Sequence, residues 1–233
     1  MPAERYYIDI PLISDQEVTL PYPESHHLIK VMRTPTGKTV ELINGQNQLA
    51  QATVLTTQKK IQLQVTSVTT QDPPPHKIIL CQALPRLNRL ETIVEKGTEL
   101  GMTALWLFPG DLSEKRELTN NQLQRAKTIA ISAIKQCGRL DLPEITVKPP
   151  LSKWGPLPYP AYFGDTDPEA PRFFDQWKKS SDVCFFIGPE SGFSKKELTH
   201  LHHLNAKGVR LHPNILRTDT APLVALTLIT LSH

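Results

Sequence analysis

The chain has 233 residues, a length that fits one large domain or two small ones. Its 39% hydrophobic and 21% charged residues are ordinary for a soluble protein with a full core, which excludes the compositional extremes of disordered and fibrous chains. The net charge of +3 permits a nucleic-acid partner without indicating one, because local clustering of charge matters more than the sum.

The three cysteines, Cys81, Cys137 and Cys184, are dispersed along the chain. This odd set without paired spacing argues against a disulfide framework and against a zinc site, so we expect no metal. The first residues lack the apolar stretch of a signal peptide, and no apolar segment is long enough to span a bilayer. We therefore predict a cytoplasmic protein without a membrane partner.

Residues 1–72 have the pattern of a small β domain. The segments 39–43 and 48–54 flank Asn44-Gly45, a dipeptide that is typical of hairpin turns. Apolar and polar residues alternate over 61–66, which predicts a further half-buried strand. Several short strands in so short a segment indicate a small barrel. Residues 25–33 predict one short helix.

Three consecutive prolines at 73–75 mark a stiff linker, so we expect a first domain at 1–72 and a second at 76–233. The second begins with an apolar strand at 77–83, an amphipathic helix that ends at Gly101, and a strand at 104–108. Strand, helix and strand in this order predict a parallel sheet in an α/β fold.

Two further helices are indicated downstream. Residues 121–137 carry a helical stripe of apolar side chains, and Gly138 follows as a suitable last residue. Residues 148–172 are proline-rich and irregular. The last helix, 222–231, is apolar nearly all round, which predicts that it is buried in the core or against another subunit.

The most informative stretch is 183–198. An apolar strand ends in a loop that contains Gly188 and Gly192, and a helix start follows at once. Ser194 and Glu197 have the spacing of a capping box. Small residues at the carboxyl end of a strand let a ligand approach the main chain, which is the layout of an α/β ligand site.

A second unit of the same kind lies at 208–220. A short strand at 208–211 leads into a loop at 212–217, and Thr218 is predicted to cap the following helix. Two such loops, close in sequence, could line one pocket from two sides.

Together, residues 188–194 and 211–221 resemble the signature of the bacterial 16S ribosomal RNA uracil-N3 methyltransferases of the SPOUT superfamily. The resemblance implies a trefoil-knotted parallel sheet with flanking helices, preceded by a PUA-like RNA-binding barrel. It also implies S-adenosylmethionine as cofactor, 16S rRNA in the small ribosomal subunit as substrate, and a homodimer. The reaction expected from it is methylation of N3 of a specific uridine.

The resemblance assigns roles to residues in three groups. Arg217 is the catalytic candidate, because a forked guanidinium can stabilise the anion that forms on O2 and O4 of uracil when N3 loses its proton. The expected cofactor-binding residues are Ile187, Gly188, Glu190, Gly192, Leu211, Ile215, Leu216 and Thr220. The expected RNA-binding residues are His26, Arg33, Arg86, Lys96 and Arg139.

At four positions the chain departs from the family pattern. Lys135 stands where a glutamate is expected, Asp219 also replaces a glutamate, and Ser191 and His212 replace glycines. Two other interpretations of the loops stay open. They could bind nucleotide phosphates, although the Lys-Ser/Thr of a P-loop is missing. Alternatively, the protein could be a non-catalytic RNA-binding or ribosome-assembly factor.

Overall fold

The computed structural model describes residues 4–57, 60–177 and 182–231. The chain forms two compact units. The first consists of Met1–Pro73 and Ile131–Leu142, and the second of Pro74–Ala130 and Pro143–His233. Residues 131–142, which the predicted division at 72–76 gives to the second domain, thus pack in the first unit.

The first unit is built on a five-stranded sheet among the described residues, in the order β1-β3-β4-β5-β2. The predicted hairpin is β3 and β4, and its turn contains Gly45 at φ +72°. Only β1 and β3 pair in parallel. The elements are β1 (Arg5–Tyr7), β2 (Glu17–Thr19), α1 (Tyr22–His26), β3 (Thr39–Ile43), β4 (Gln48–Thr56) and β5 (Gln62–Thr70).

The core of this unit follows from the alternation of side chains along the strands. Ile61, Leu63 and Val65 are buried, as their pattern predicts, whereas Gln62 points outward. Burying each of these aliphatic side chains contributes roughly 1.5–3 kcal/mol.

The helix predicted at 25–33 is divided in two. α1 ends at His26, and a wider π-helical turn, His27–Met32, replaces its continuation. Leu28 alone is buried in that turn, and Arg33 ends it in a left-handed conformation with φ +52°. Pro35 disfavours helical geometry at Thr34, so the helix cannot run on.

The end of α3 (Asn120–Cys137) completes the first unit. Ile134 and Leu140 form a small core with Ile43, and Gly138 ends the helix at φ +92°, as the sequence predicts.

The second unit contains a parallel sheet of six strands within the described residues, in the order β11-β9-β10-β6-β7-β8. This confirms the predicted α/β class. Its further elements are β6 (Ile78–Ala83), α2 (Leu87–Glu99), β7 (Ala104–Phe108), β8 (Glu144–Val147), β9 (Ala161–Gly164), α4 (Phe173–Gln176), β10 (Val183–Ile187), α5 (Lys195–His203), β11 (Lys207–Val209) and α6 (Ala221–Thr230).

The strands β6 and β10 lie at the centre of this sheet and are buried along their whole length. Such burial on both faces is typical of parallel sheets covered by helices. The chain proceeds from β6 through β7 to β8 on one side and places β9, β10 and β11 on the other. The junction of β6 and β10 is therefore the switch point of the sheet, where α/β proteins bind ligands.

The last helix, α6, is only partly covered by its own chain. Ala225, Leu226 and Ile229 are buried, but Leu223 and Val224 are half-buried on the other side. Leu231, directly after the helix, is 83% exposed. One apolar side of α6 thus lacks a complete cover within the described residues.

None of the helices in the described ranges combines the length and the apolar character that a membrane crossing requires.

Candidate active site

The two loops identified in the sequence lie at the same edge of the parallel sheet. The first, 188–194, follows β10, and the second, 210–220, follows β11, with β9 between these two strands. Because all six strands are parallel, their carboxyl ends meet at this edge. Both loops therefore lie at the edge that contains the switch point, on its β10 side.

The first loop is packed closely against its own backbone. A Cβ atom on Gly188 would lie 3.1 Å from the carbonyl carbon of Gly192 and 3.2 Å from the nitrogen of Phe193. Gly192 adopts φ +76°, and its N–H donates to the carbonyl of Pro189 at 2.9 Å. Glycine is favoured at both positions, at Gly188 because the space is tight and at Gly192 because of its conformation.

The predicted capping box is present at the start of α5. The N–H of Glu197 donates to Ser194 Oγ at 3.1 Å, and the N–H of Ser194 donates to Glu197 Oε2 at 2.8 Å. Glu197 is buried, and its other oxygen accepts from the N–H of Asp111 at 3.0 Å. These bonds compensate the burial of the carboxylate and fix the exit of the loop.

The predicted cap at Thr218 is wrong. α6 begins at Ala221, and its cap residue, Thr220, makes no side-chain capping bond. The buried hydroxyl of Thr218 instead donates to the carbonyl of Gly188 at 2.8 Å. The side-chain amide of Gln82, near the end of β6, lies 3.1 Å from the same hydroxyl. Hydrogen bonds thus join the two loops directly.

Glu190 is held by arginine rather than left free in the first loop. Its carboxylate lies 3.2 Å from Arg89 Nη1 and accepts from the N–H of Arg86 at 3.3 Å. The arrangement favours a structural role for Glu190 and fixes the loop to the start of α2.

The second loop presents its candidate side chains to solvent. Arg217 is exposed, and no hydrogen bond or ion pair engages its guanidinium in the described ranges. Ile215 is 79% exposed, Leu211 and Leu216 are half-buried, and Thr220 is exposed. Ile187, at the end of β10, is buried.

Two of the unusual residues shape this loop. The ring of His212 accepts at Nδ1 from the N–H of Asn214 at 3.1 Å, which folds the backbone locally. One carboxylate oxygen of Asp219 is buried without a hydrogen-bond partner in the described structure.

The two RNA-binding candidates in the second unit are both ion-paired. Arg86 lies 2.6 Å from Glu114, and this hydrogen-bonded pair raises the pKa of Arg86 and lowers that of Glu114. Lys96 lies 2.8 Å from both Glu95 and Glu99, which raises the pKa of Lys96. Glu99 is thus engaged in an ion pair within α2. Arg86 is the candidate that directly adjoins the first loop, through Glu190.

The other three candidates lie in the first unit. His26 and Arg33 flank the π-helical turn and are exposed. The ring of His26 lies 6.3 Å from that of Tyr22. Arg139 is paired with Asp141, with a distance of 3.1 Å from Nε to Oδ1. Exposed aromatic and basic side chains beside the turn suit contact with RNA bases and phosphates.

Within the described ranges, no group of three or more His, Cys, Asp or Glu side chains could hold a metal ion. Cys81 and Cys184 are buried, and burial raises the pKa of the Cys81 thiol well above its usual range.

The fold defines an α/β protein with two hydrogen-bonded loops at the switch point of a parallel sheet, the place where such proteins bind ligands. A family model described as RNA methyltransferase domain matches residues 72–230, and one described as RNA methyltransferase PUA domain matches residues 20–66. The chain therefore belongs to the RNA methyltransferase family that these two domains describe. The expected PUA-like and SPOUT-type fold class is confirmed, while the threading of the knot stays a prediction.

Similar proteins carry one recurring name. Ribosomal RNA small subunit methyltransferase E of Buchnera aphidicola is 26% identical, with 96% of this chain and 91% of the relative covered. The protein of the same name from Bacillus subtilis is also 26% identical, with 97% of this chain and 95% of the relative covered.

Two solved structures share the fold over nearly the whole chain. The methyltransferase E of Neisseria gonorrhoeae, solved with S-adenosylmethionine, is 27% identical, has a TM-score of 0.86, and covers 98% of this chain and 97% of its own. A Legionella pneumophila protein, also solved with this cofactor, has a TM-score of 0.91 at 24% identity. The match covers 99% of this chain and 98% of that protein. The latter supports the fold alone.

Proposed function

We propose that this protein transfers a methyl group from S-adenosylmethionine to N3 of a uridine in the 16S rRNA of the small ribosomal subunit. The observation that carries the proposal is the bond from Thr218 to the Gly188 carbonyl, which joins two loops at the switch point of the sheet. Family membership and the relatives' names support the rRNA substrate. The resemblance of the two loop motifs supports N3 as the methylated atom.

The residues at the loops fit this cofactor. Gly192 has no atom within 4 Å of its Cβ position and leaves the backbone accessible for hydrogen bonds to the adenine edge, while Gly188 lets the loop close on itself. The half-buried Leu211 and Leu216 and the exposed Ile215 provide apolar surface for its ring. The cofactor would supply a methyl group carried on a positively charged sulfur. The loops lack the lysine of a P-loop, so their composition does not favour a nucleoside triphosphate as the ligand.

The chemistry at uracil requires stabilisation of negative charge. N3 carries a proton, and it becomes a good nucleophile only when that proton leaves and charge spreads over O2 and O4. Arg217 is exposed in the second loop and engages no carboxylate of the described residues, so its guanidinium is available to these oxygens. Much of the remaining acceleration comes from holding the two reactants in line. Glu190 is paired with Arg89 and is not assigned as the base.

The RNA would be held by basic residues of each unit. In the first unit we assign His26, Arg33 and Arg139 to this role. In the second unit we assign Arg86 and Lys96, whose partners Glu114 and Glu95 are exposed to solvent, while Glu99 is half-buried. A phosphate group would displace Glu114 from Arg86, because exposed ion pairs contribute little stability. These side chains would position the RNA and would not select its sequence, since contacts to phosphate carry no sequence information.

We further infer a cytoplasmic homodimer. Ribosomal RNA as the substrate supports the location, and the incompletely covered side of α6 supports the dimer. Light scattering would then report twice the chain mass of 26.2 kDa. A mass of one chain at micromolar concentration would reject the dimer.

The decisive experiment is mass spectrometry of the nucleosides in small-subunit rRNA from cells with and without this protein. We expect 3-methyluridine to disappear without the protein and to return when purified protein and S-adenosylmethionine are added. Melting curves add a second measurement, because a ligand that binds only the folded state raises the melting temperature. S-adenosylhomocysteine should raise it, whereas ATP with magnesium should not. An unchanged nucleoside profile together with RNA binding would favour the assembly-factor interpretation.

We expect Gly188→Ala to weaken the binding of S-adenosylhomocysteine. The new Cβ would lie 3.1–3.3 Å from backbone atoms of residues 192 and 193, which cannot move aside as a flexible side chain would. Overpacking of this kind costs roughly 1–3 kcal/mol, and a distorted loop binds its ligand less well. Calorimetric titration measures the affinity. Gly155→Ala is the matched control, since no atom lies within 4 Å of the added Cβ there. Equal affinities in the two variants would contradict a cofactor site at Gly188.

A further inference from the structure

Gln82 is a buried polar residue that none of the sequence motifs singles out. It is the penultimate residue of β6 and is fully buried. Its register partners are Ile187 of β10 and Leu107 of β7, so it lies in the middle of the sheet at the switch point. A side chain amide in such a place requires partners, since an unsatisfied one costs folding free energy.

The amide nitrogen of Gln82 has two partners in the loops and one at the end of its own strand. Nε2 lies 3.1 Å from Thr218 Oγ1, 3.0 Å from the carbonyl of Ala83 and 3.4 Å from the carbonyl of Gly188. Two of these three neighbours are carbonyl oxygens, which only accept hydrogen bonds, so the nitrogen and not the oxygen of the amide must face them. The orientation of the amide is thereby fixed.

Thr218 passes the hydrogen bond on. Its oxygen accepts from Gln82, and its hydroxyl donates to the carbonyl of Gly188 at 2.8 Å. The three residues form a chain of hydrogen bonds, which we call the loop relay, and it runs from the central strand through the second loop to the first. Each bond in such a chain polarises the next.

The other end of the amide is left without a partner. Oε1 of Gln82 is buried and accepts no hydrogen bond from the described residues. A methionine or leucine would fill a similar volume without this cost, so stability alone does not explain glutamine here. Retention of a costly group at the point where two loops meet is typical of functional sites.

We propose that Gln82 is a positioning residue that sets the spacing of the two loops through the loop relay. This inference rests on the proposed function, because the ligand that requires the spacing is S-adenosylmethionine. Gln82 acts through Thr218 and does not itself touch the cofactor. Without the relay, the loop that carries Gly188 and the loop that carries Arg217 would no longer hold one fixed separation.

The test uses Gln82→Met and Thr218→Val, alone and together, with calorimetric titration of S-adenosylhomocysteine. Each single variant should weaken binding about tenfold, the size expected for the loss of one hydrogen bond. The double variant should be no weaker than either single one, because both interrupt the same relay. Thr218→Ser keeps the hydroxyl and should bind like the wild type. Thr98→Val removes a buried hydroxyl bonded within α2 and is the control for a merely structural loss.

Hydrogen exchange of backbone amides provides a measurement that needs no cofactor. Both Gln82→Met and Thr218→Val should accelerate exchange in 188–194 and in 210–220, and Thr98→Val should not. Wild-type affinity in both single variants, or a double variant about a hundredfold weaker, would overturn the proposal. If the wild-type protein bound no S-adenosylhomocysteine, the proposed function would fail. The loop relay would still be tested, because accelerated exchange in only one of the two loops would reject it.

Discussion

Arg217→Ala should lower the rate of methyl transfer by about a hundredfold to a thousandfold, which is the effect of removing one donor that stabilises a developing oxyanion. The exposed guanidinium contributes little to the core, so the melting temperature and the affinity for S-adenosylhomocysteine should change little. Single-turnover transfer of labelled methyl groups to small-subunit RNA measures the rate. The loss should thus appear in the chemical step and not in cofactor binding.

Two further variants sharpen this test. Arg217→Lys keeps the charge but loses the forked geometry, so its rate should lie between those of the wild type and the alanine variant. Arg125→Ala removes another exposed arginine, which pairs with Glu91 elsewhere in the second unit, and this variant should retain full activity. Full activity in Arg217→Ala would remove the residue from the mechanism.

Lys135→Glu should destabilise the first unit by about 2–4 kcal/mol, although glutamate is the residue that the family resemblance leads one to expect at this position. Lys135 Nζ lies 2.8 and 2.7 Å from the two carboxylate oxygens of Glu24, and these side chains are only 19% and 13% exposed. Nζ also lies 5.8 Å from the ring centroid of Tyr6. A second carboxylate would face Glu24 with little water to screen the repulsion. Urea denaturation measures the loss.

The double variant Glu24→Lys/Lys135→Glu is the control for this prediction, because it restores opposite charges in reversed order. It should recover most of the lost stability. Arg125→Glu, in an exposed pair, should cost only about 1 kcal/mol or less. If the double variant were as unstable as the single one, the ion pair would not be the reason. The departure at Lys135 is therefore explained by its partner, Glu24.

The sequence predicted those parts of the fold that depend on local pattern. The capping box of Ser194 and Glu197 and the glycine that ends α3 are present as expected, because neighbouring residues alone determine them. The division of the helix predicted at 25–33 was missed. It depends on Leu28 reaching the core while Pro35 stops the helix, and such a balance of packing against propensity leaves no periodic signal.

The sequence analysis identified the two loops as a candidate site but did not predict the hydrogen bonds that join them. Gln82 bonds to Thr218 across 136 positions, and Lys135 bonds to Glu24 across 111. No local pattern relates residues so far apart. The one available signal was a lone glutamine in an otherwise apolar strand, and such a residue requires a partner from elsewhere. The error at Thr218 has the same origin, since its hydroxyl could bond to its own helix or to a distant carbonyl.

Helix α3 contributes residues to both units, and this affects the order in which the units fold during translation. The first unit needs Ile134 and Leu140 for part of its core, but residues 74–130 of the other unit are synthesised before them. The amino-terminal sheet therefore cannot complete its core, and Ile43 stays uncovered, until residue 142 has left the ribosomal tunnel. A fragment that stops at residue 73 would lack this cover permanently, and truncation there would yield an aggregation-prone intermediate and not an independent RNA-binding module.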